Sequence, residues 1–363
     1  MKAYMIIDGQ WGSTGKGLLC GHLARKWRPD TVVCNFGPNA GHTWRSSDRS
    51  GLVEGVENKV IVKQLPMGII SPSVRHVLIG PGAVIDPEIL VREIIEFAPY
   101  LGDKQIRIHP NAAVVNSSDK EVERNNLARI SSTQKGTGAA LSRKIMRDPE
   151  AIAGGSYIVK GNTYLQKFLT THDEYMDILY SSHIVQIESA QGLELSLNCG
   201  SNYPYCTSRD ITPMQVLADT LIHPCWLKYI IATMRTYPIR VGDQYQDGVK
   251  VGTSGPVYPD QRELTWAELG QPEEITTVTG KIRRVFTWSD MNLRKVLTLI
   301  KPDAIFLNFT NYMTVRDAEI LINHIDDISM SIGYMGHRKS LVRWEGVGPN
   351  DEDVRELFGE EWI

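Results

Sequence analysis

The chain contains 363 residues, 42% of them hydrophobic and 22% charged, which predicts a globular protein with a large buried core. Its 39 Lys and Arg residues and 42 Asp and Glu residues give a net charge of −3, so no basic field over the whole surface attracts nucleic acid. The five cysteines include no CxxC pair and no Cys/His metal spacing, which excludes a zinc finger. The sequence has neither a signal-peptide core nor an apolar window of about eighteen residues, which excludes secreted and membrane classes and predicts a cytoplasmic protein.

The predicted elements alternate between strands and helices. Short apolar or β-branched runs predict strands at 3–7, 31–35, 60–64, 76–79, 183–188, 229–233 and 304–308. Helical spacing predicts helices at 18–27, 87–97, 162–180, 212–221 and 315–327. The alternation predicts an α/β fold with a central, mostly parallel sheet flanked by helices, in which the first two strands form a parallel pair. Without a dividing linker, we expect residues 1–363 to form a single domain with loop and helical insertions, including 47–57 and 243–260.

A glycine-rich turn, residues 8–17 with the sequence DGQWGSTGKG, joins the first predicted strand to the first predicted helix. At such a junction, backbone N–H groups and the helix dipole can hold a phosphate, and Lys16 adds a positive charge. The turn is not a Walker A loop, because five residues instead of four separate Gly9 from Gly15, and Gly17 stands where Ser or Thr would bind magnesium. A plain tight turn is the alternative, and the junction favours a phosphate site.

A second loop, residues 35–43 with the sequence NFGPNAGHT, follows the second predicted strand. Asn39 and His42 flank Gly41, whose missing side chain lets the backbone approach a ligand or metal. Histidine is suited to proton transfer, or to stabilising a developing anion, near neutral pH. A lone loop histidine is more often a bystander, so His42 is a candidate only with other support.

Together the two loops resemble the adenylosuccinate synthetase family, whose pattern is QWGDEGKG followed by GxNAGHT. Further segments resemble the family's motifs in order along the chain: QLPMGI (64–69), GPGAV (80–84), STQKGTG (132–138), ESAQG (188–192), YPYCTS (203–208), RVG (240–242) and TGKIRR (279–284). The resemblance implies an α/β fold with P-loop-NTPase-like topology. It also implies a homodimeric carbon–nitrogen ligase that requires Mg²⁺, in which a nucleoside triphosphate phosphorylates O6 of a purine nucleotide and L-aspartate then displaces that phosphate.

The same resemblance implies the residues of the site. The catalytic residues would be Ser13, Lys16 and His42. The triphosphate would be bound by Ser13, Thr14, Gly15, Lys16, Gly17, Gly41, His42, Thr43, Arg283, Thr310, Asn311, Gly348 and Pro349. The acceptor nucleotide would be bound by Ser13, Asn39, Ala40, Thr133, Arg147, Gln191, Thr207 and Lys281, with Arg147 reaching the phosphate across a dimer interface. Aspartate would be bound by Thr277, Val278, Thr279, Gly280 and Arg283, and Mg²⁺ by Ser13 and the Gly41 carbonyl.

The sequence departs from the family at Ser13, where the family has an aspartate that takes the N1 proton of the purine and ligates Mg²⁺. A serine hydroxyl is not a useful general base at neutral pH without an activator. Three interpretations follow: a non-catalytic nucleotide sensor, an ordinary adenylosuccinate synthetase acting on IMP with a weakened base, or a changed acceptor base.

The changed acceptor base is the physically strongest interpretation of Ser13. A carboxylate aimed at N1 lies beside C2 and would crowd a 2-amino group, whereas the shorter serine leaves room and offers both a donor and an acceptor. The acceptor is therefore expected to be a guanine nucleotide. This narrower pattern resembles the phage branch of the family, which makes N6-succino-2-amino-2′-deoxyadenylate from dGMP and aspartate for 2-aminoadenine DNA, and a phage enzyme would act in the host cytoplasm. The sequence leaves open how guanine loses its N1 proton: to water, through Ser13 as a relay, or by the acidity of the substrate itself.

A second departure concerns the triphosphate. The family reads GTP through a lysine–hydrophobe–aspartate triplet after a strand, whereas residues 306–311 here read FLNFTN and carry no acid. Without the carboxylate, guanine loses its charged acceptor, while Thr310 and Asn311 can pair with adenine. The sequence therefore predicts ATP or dATP as the donor. No residue in the sequence indicates whether a deoxy sugar is preferred. Lys281 stands where the family often has Arg near the ribose.

Overall fold

The structure is a computed structural model that describes residues 1–47, 58–147, 163, 165–246, 249–276, 280–334 and 340–358. Its strands are β1 (Lys2–Asp8), β2 (Thr31–Cys34), β3 (His42–Arg45), β4 (Lys59–Val62), β5 (His76–Ile79), β6 (Val84–Ile85), β7 (Gln105–Ile108), β8 (Ala113–Val114), β9 (Ile184–Gly192), β10 (Leu227–Arg235), β11 (Ile239–Arg240), β12 (Gln244–Gln246), β13 (Val249–Gly252), β14 (Glu263–Leu264), β15 (Arg284–Phe286), β16 (Ala304–Asn308), β17 (Val342–Gly346) and β18 (Val354–Glu356). Its helices are α1 (Lys16–Trp27), α2 (Pro87–Glu96), α3 (Ala98–Leu101), α4 (Ser117–Asn126), α5 (Thr137–Met146), α6 (His172–Ser181), α7 (Pro213–Thr220), α8 (Asp290–Leu299) and α9 (Val315–Ser331). Among these, no helix combines the length and apolar character that crossing a bilayer requires.

Nine strands form the central sheet in the order β18-β17-β16-β10-β1-β9-β2-β5-β7. Neighbouring strands are parallel except β17 and β18, which are antiparallel. In β1, Tyr4 and Ile6 pack into the core on one face of the sheet, and Met5 and Ile7 pack into the core on the other. A parallel sheet covered on both faces requires such continuous apolar strands. Helix α1 lies in the first core and helices α8 and α9 lie in the second, so the α/β prediction is confirmed.

The structure corrects one prediction about strand pairing and the length of one predicted helix, and one predicted strand lies outside the central sheet. Strands β1 and β2 are parallel but not neighbours, because β9 lies between them and pairs with both. The strand predicted at 60–64 is β4, which forms an antiparallel hairpin with β3 outside the central sheet. The helix predicted at 162–180 is too long, because Thr171 and Glu174 form a capping box that begins α6 at His172. Residues 161, 162 and 164 lie outside the described residues.

The parallel strands all end at one edge of the sheet, which is where ligands bind in folds of this class. At this edge β1 ends at Asp8, β9 at Gly192, β10 at Arg235 and β16 at Asn308. The glycine-rich turn and the 309–312 segment start there. The sheet therefore gathers sequence-distant loops around one site.

Two glycines of α1 let the β3 hairpin lie unusually close to this helix. A Cβ on Gly17 would lie 2.7 Å from the backbone nitrogen of Thr43, and a Cβ on Gly21 would lie 2.2 Å from the ring of Trp44. Real Cβ atoms do not approach other atoms this closely, so any larger side chain would push β3 away. The close packing places His42, the first residue of β3, beside the N-terminal turn of α1.

Candidate functional site

The glycine-rich turn has the backbone of an anion-binding loop. Gly12, Ser13 and Gly15 have φ angles of 97°, 57° and 90°, in the left-handed region, and Gly15 directly precedes α1. Left-handed residues in a tight turn point backbone N–H groups into a concave surface, and the helix N-terminus adds a partial positive charge. Ser13 adopts this conformation without being glycine, which is uncommon and concentrates at functional sites. The turn can therefore hold phosphate groups as the sequence predicts.

Lys16 is held from below the turn by a buried carboxylate. Its Nζ donates to Oδ2 of Asp8 at 3.2 Å and to the carbonyl oxygen of Gln191 at 2.8 Å. Asp8 is fully buried, and the Lys16 side chain is only 6% exposed. Since an ammonium group has three donors, one remains for a ligand in the cavity. The lysine is thus fixed before any phosphate binds.

His42 forms a buried pair with Glu188 on β9. Nδ1 of His42 is hydrogen-bonded to Oε1 of Glu188, and Oε2 of Glu188 accepts from the backbone N–H of Met67 at 2.7 Å. The ring of Phe36 packs edge-on against the imidazole at 4.4 Å between ring centroids. A carboxylate on Nδ1 fixes the orientation of the imidazole. The nitrogen left for a substrate is therefore Nε2.

Ser13 lies against a cluster of two arginines and one glutamate. Its hydroxyl accepts a hydrogen bond from Arg283, and its carbonyl oxygen accepts from Arg235 at 3.4 Å. Glu274 accepts two hydrogen bonds from Arg235, at 2.6 and 3.1 Å, and one from the Tyr312 hydroxyl at 3.0 Å. The arginines position Ser13 at the cavity wall.

The charges in this cluster perturb its titratable groups in opposite directions. Burial opposes ionisation of Glu274, but Arg235, Arg283 and the Tyr312 hydroxyl together outweigh burial, so the pKa of Glu274 lies below its ordinary value. Burial and the charge of Glu274 raise the pKa of Tyr312 to about 12. Glu274 therefore stays ionised near neutral pH and Tyr312 stays a hydrogen-bond donor.

These groups surround a cavity of about 570 Å³. Its wall includes most of the predicted site residues, namely Ser13, Gly15, Lys16, Gly17, Asn39, Ala40, Gly41, His42, Thr43, Thr133, Gln191, Arg283, Asn311, Gly348 and Pro349. A second cavity of about 130 Å³ shares Asn39, Thr133 and Gln191 with the first and adds Thr207. Volumes of several hundred Å³ accommodate nucleotide-sized ligands. Residues that are far apart in sequence are thus brought together as predicted, although their roles stay predictions.

Other predicted site residues do not line either cavity. The hydroxyl of Thr14 is hydrogen-bonded to Asp8 at 2.5 Å and to Thr233 at 2.6 Å, beneath the turn. The hydroxyl of Thr310 donates to the carbonyl oxygen of Gly346 at 3.1 Å, so it is directed into the fold. The described residues Arg147, Gly280 and Lys281 also lie outside both walls. Thr277, Val278 and Thr279 lie outside the described residues.

Four charged residues at the site received no role from the sequence. Asp8 and Arg235 end strands β1 and β10, Glu188 lies inside β9, and Glu274 precedes the segment predicted to bind aspartate. For Asp8 and Glu188 a signal was present, because both occur in motifs at strand ends where parallel sheets place ligand sites. For Glu274, no local pattern predicts the contact with Arg235.

The oxygen atoms on the cavity wall fit a magnesium ion that arrives with phosphates. Ser13 supplies a hydroxyl and Gly41 a backbone carbonyl, both hard oxygen donors. In the part of the chain that the structure describes, no three His, Cys, Asp or Glu residues cluster as a dedicated metal site. Magnesium commonly takes few ligands from the protein and several from phosphates and water, so this donor set is compatible with Mg²⁺.

Comparison with known proteins connects the site to one family. Residues 5–154 and 155–342 match the family model described as adenylosuccinate synthetase. The chain is 38% identical to the N6-succino-2-amino-2′-deoxyadenylate synthase of Salmonella phage PMBT28, over 97% of each chain. It is 40% identical to the synthase of the same name from Vibrio phage phiVC8, over 97% of this chain and 98% of that one.

A solved structure has the same fold over almost the whole chain. It is the succinoaminodeoxyadenylate synthetase of cyanophage S-2L, bound to dGMP and to dATP as an energy donor. The two chains are 32% identical with a TM-score of 0.82, and the match covers 98% of this chain and 95% of the other.

Proposed function

Since the chain belongs to the adenylosuccinate synthetase family, we propose that it is a carbon–nitrogen ligase that joins L-aspartate to C6 of dGMP, with ATP or dATP as the energy source. The products are N6-succino-2-amino-2′-deoxyadenylate, the nucleoside diphosphate and phosphate, for the synthesis of DNA containing 2-aminoadenine. The phage relatives are named for this product, and the cyanophage relative binds dGMP and dATP. All of these matches extend over nearly the whole chain.

The observation that carries the choice of dGMP is the position of Ser13. Its short side chain lies on the cavity wall and is held there by Arg283. An aspartate at position 13 would extend further than serine toward the proposed position of the purine. A guanine acceptor carries an amino group at C2, and the space left by serine accommodates that group. The remaining hydroxyl proton of Ser13 can pair with an acceptor on the guanine edge, which leaves its second lone pair for Mg²⁺.

The geometry supports a two-step reaction. In the first step the N1 proton of guanine passes to water, directly or through Ser13 as a relay. O6 of dGMP attacks the γ-phosphorus, the bond from phosphorus to the β,γ-bridging oxygen breaks, and the nucleoside diphosphate leaves. Lys16 and the N–H groups of the glycine-rich turn neutralise the phosphate charge. In the second step the amine of aspartate adds to C6, and phosphate leaves together with the former O6. His42, oriented by Glu188, donates from Nε2 to the charge that develops on O6.

The second cavity supports a binding site for the 5′-phosphate of dGMP. Its wall is rich in hydroxyl groups and lies beside the start of α5, where two backbone N–H groups already donate to Glu123, so the hydroxyl groups are what remains for an anion. The hydroxyl oxygens of Ser131 and Thr137 are buried, and neither has a hydrogen-bond partner among the residues that the structure describes. Buried hydroxyls without partners are costly unless a ligand or water satisfies them. We therefore assign the phosphate to this cavity, next to Thr133 and Thr207.

We assign the base of the triphosphate donor to the part of the cavity that lies next to the residues after β16. Phe309, Asn311 and Tyr312 follow β16 and line the cavity together with Gly348 and Pro349. The amide of Asn311 offers both a donor and an acceptor, as the edge of adenine requires. ATP and dATP share that edge, so either serves as the donor.

Magnesium and aspartate complete the set of ligands. Mg²⁺ would be held by the triphosphate with Ser13 and Gly41, and when bound it neutralises phosphate charge. Arg283 is the residue suited to a carboxylate of aspartate, because its planar guanidinium can bind a carboxylate with two hydrogen bonds. The contact of Arg283 with Ser13 supports a position for aspartate next to the purine.

The assembly is proposed to be a homodimer of single-domain subunits in the cytoplasm of the phage host. Helix α5 ends in Ile145 and Met146, whose side chains are 72% and 73% exposed, and Arg147 follows directly. Exposed apolar side chains next to each other are typical of an interaction surface. Arg147 lines neither cavity of its own chain, which is compatible with a role in the partner's site.

Phosphate release tests the proposed reaction. Purified protein with Mg²⁺, ATP and aspartate is supplied with dGMP or IMP, and a Ser13→Asp variant is measured in parallel. We expect the wild type to release phosphate with dGMP and little with IMP, and the variant to lose activity with dGMP because its carboxylate crowds the 2-amino group. Release with IMP alone by the wild type would overturn the assignment in favour of adenylosuccinate synthesis. No release with either acceptor would indicate a nucleotide sensor.

A further inference from the structure

Asp8 is the most heavily hydrogen-bonded carboxylate beneath the glycine-rich turn. Its Oδ1 accepts from the backbone N–H of Gln10 at 2.7 Å and of Gly12 at 3.4 Å. Its Oδ2 accepts from the hydroxyl of Thr14 at 2.5 Å and from Nζ of Lys16 at 3.2 Å. All four donors come from the eight residues that follow Asp8, so one side chain organises the whole turn.

The surroundings of Asp8 exclude a role as a base or as a direct ligand. The side chain is fully buried, and neither cavity wall includes it. Both of its oxygens are occupied by donors from the chain itself. A buried carboxylate is costly unless a cation compensates it, and the cation that contacts Asp8 is Lys16.

The contact also determines where the lysine points. A lysine side chain has four flexible carbons, and holding it in one place costs conformational entropy when a ligand binds. Asp8 and the carbonyl oxygen of Gln191 take two of the three N–H donors of Lys16. The third donor is left for the triphosphate.

We propose that Asp8 is a positioning residue for the triphosphate site, acting through Lys16 and the turn rather than by touching the nucleotide. Asp8 fixes the ammonium group where the phosphates bind, and its hydrogen bond to Gly12 holds the backbone next to Ser13. The inference rests on the proposed binding of a triphosphate. It does not depend on which purine accepts aspartate.

A double-mutant cycle on nucleotide binding tests this role. The dissociation constant of the non-hydrolysable analogue AMP-PNP with Mg²⁺ is measured by calorimetry for the wild type, Asp8→Asn, Lys16→Ala and the double variant. We expect Asp8→Asn to weaken binding by about tenfold or more, and to have little further effect once Lys16 is absent, because both changes remove the same interaction. If the two effects multiply in the double variant, Asp8 has only a structural role and the proposal is overturned.

Thr14→Val is the matched control. It removes the other donor to Oδ2 of Asp8 but leaves the charge pair intact. We expect this variant to lower the melting temperature and to weaken AMP-PNP binding clearly less than Asp8→Asn does. Equal loss of binding in the two variants would contradict the special role of the Asp8–Lys16 pair.

A second measurement applies if Asp8→Asn alone does not fold. Lys16→Met leaves the buried carboxylate without its cation, so adding Asp8→Asn to that variant should raise its melting temperature. A double variant no more stable than Lys16→Met alone would overturn the pairing. Neither measurement contains an acceptor nucleotide. A failure of the proposal for Asp8 is therefore distinguishable from a failure of the dGMP assignment.

Discussion

At the scale of single residues, buried carboxylates orient the cationic and imidazole groups that face the cavity. Lys16 and His42 are each held on one side by an acid that the substrate does not reach, Asp8 and Glu188. Such fixed partners reduce the reorganisation needed when charge develops on the substrate.

Glu188→Gln tests this arrangement at His42. The amide retains an oxygen near the backbone N–H of Met67 but no longer offers His42 a carboxylate as its hydrogen-bond partner. We expect kcat for phosphate release with dGMP to fall by about a hundredfold, with a much smaller change in KM for dGMP. Steady-state kinetics measure both constants.

Glu93→Gln provides the matched control for Glu188→Gln. Glu93 is also a buried glutamate, and it accepts from the backbone N–H groups of Lys63, Gln64 and Leu65, but it does not touch His42. We expect its substitution to change stability more than kcat. Equal losses of kcat in both variants would contradict a specific role for Glu188.

The residues that carry chemistry in a loop motif were the most predictable from sequence. Ser13, Lys16 and His42 lie on the cavity wall as expected, because residue type and strand–turn–helix context both point there. Their partners Glu188 and Glu274 were not assigned. Glu188 lies in a recognisable motif, but His42 is 146 residues away, so no local pattern in the sequence shows that the two residues pair.

At the scale of elements, Glu93 connects helix α2 to the segment after β4. Burial raises the pKa of Glu93 from 4.5 to about 7, against the backbone N–H groups that lower it. Because the folded state favours the protonated form, this contribution to stability is complete below pH 4.5 and is lost as the pH rises through 7. A shift of this size corresponds to about 3 kcal/mol.

The pH dependence of unfolding therefore tests the attachment of α2. We expect the difference in the free energy of unfolding, Glu93→Gln minus wild type, to increase by about 3 kcal/mol from pH 4.5 to pH 8, because glutamine does not ionise. Urea unfolding at several pH values measures the difference. Glu96→Gln, on the exposed side of the same helix, is the control. A difference between Glu93→Gln and wild type that does not vary with pH would contradict the raised pKa.

Elements were predictable where the signal is local and less so where it is long-range. The strands at 76–79 and 304–308 agree with β5 and β16, because both are short apolar runs bounded by polar residues. The insertion of β9 between β1 and β2 was not predictable from the first forty residues, since β9 begins at Ile184. The helical spacing before Thr171 does not show where α6 begins, because the capping box of Thr171 starts the helix at His172.

At the scale of the whole molecule, the sheet edge explains how loops from distant parts of the chain form one site, but Arg147 is among the described predicted residues that do not line it. Arg147 follows the exposed end of α5 and lines neither cavity of its own chain. The exposed Ile145 and Met146 beside it are suited to contact with a second subunit.

Complementation between two inactive variants tests whether Arg147 serves a partner's site. Lys16→Ala removes a residue from a chain's own site, whereas Arg147→Ala would remove one from the partner's site. In a heterodimer of the two, one site contains two defects and the other contains none. Random pairing after co-expression should therefore restore about a quarter of the wild-type activity, since half of the dimers are mixed and each has one intact site. Activity no greater than the sum of the activities of the two separate variants would show that Arg147 acts within its own chain or not at all. Size-exclusion chromatography with light scattering would then distinguish a dimer without shared sites from a monomer.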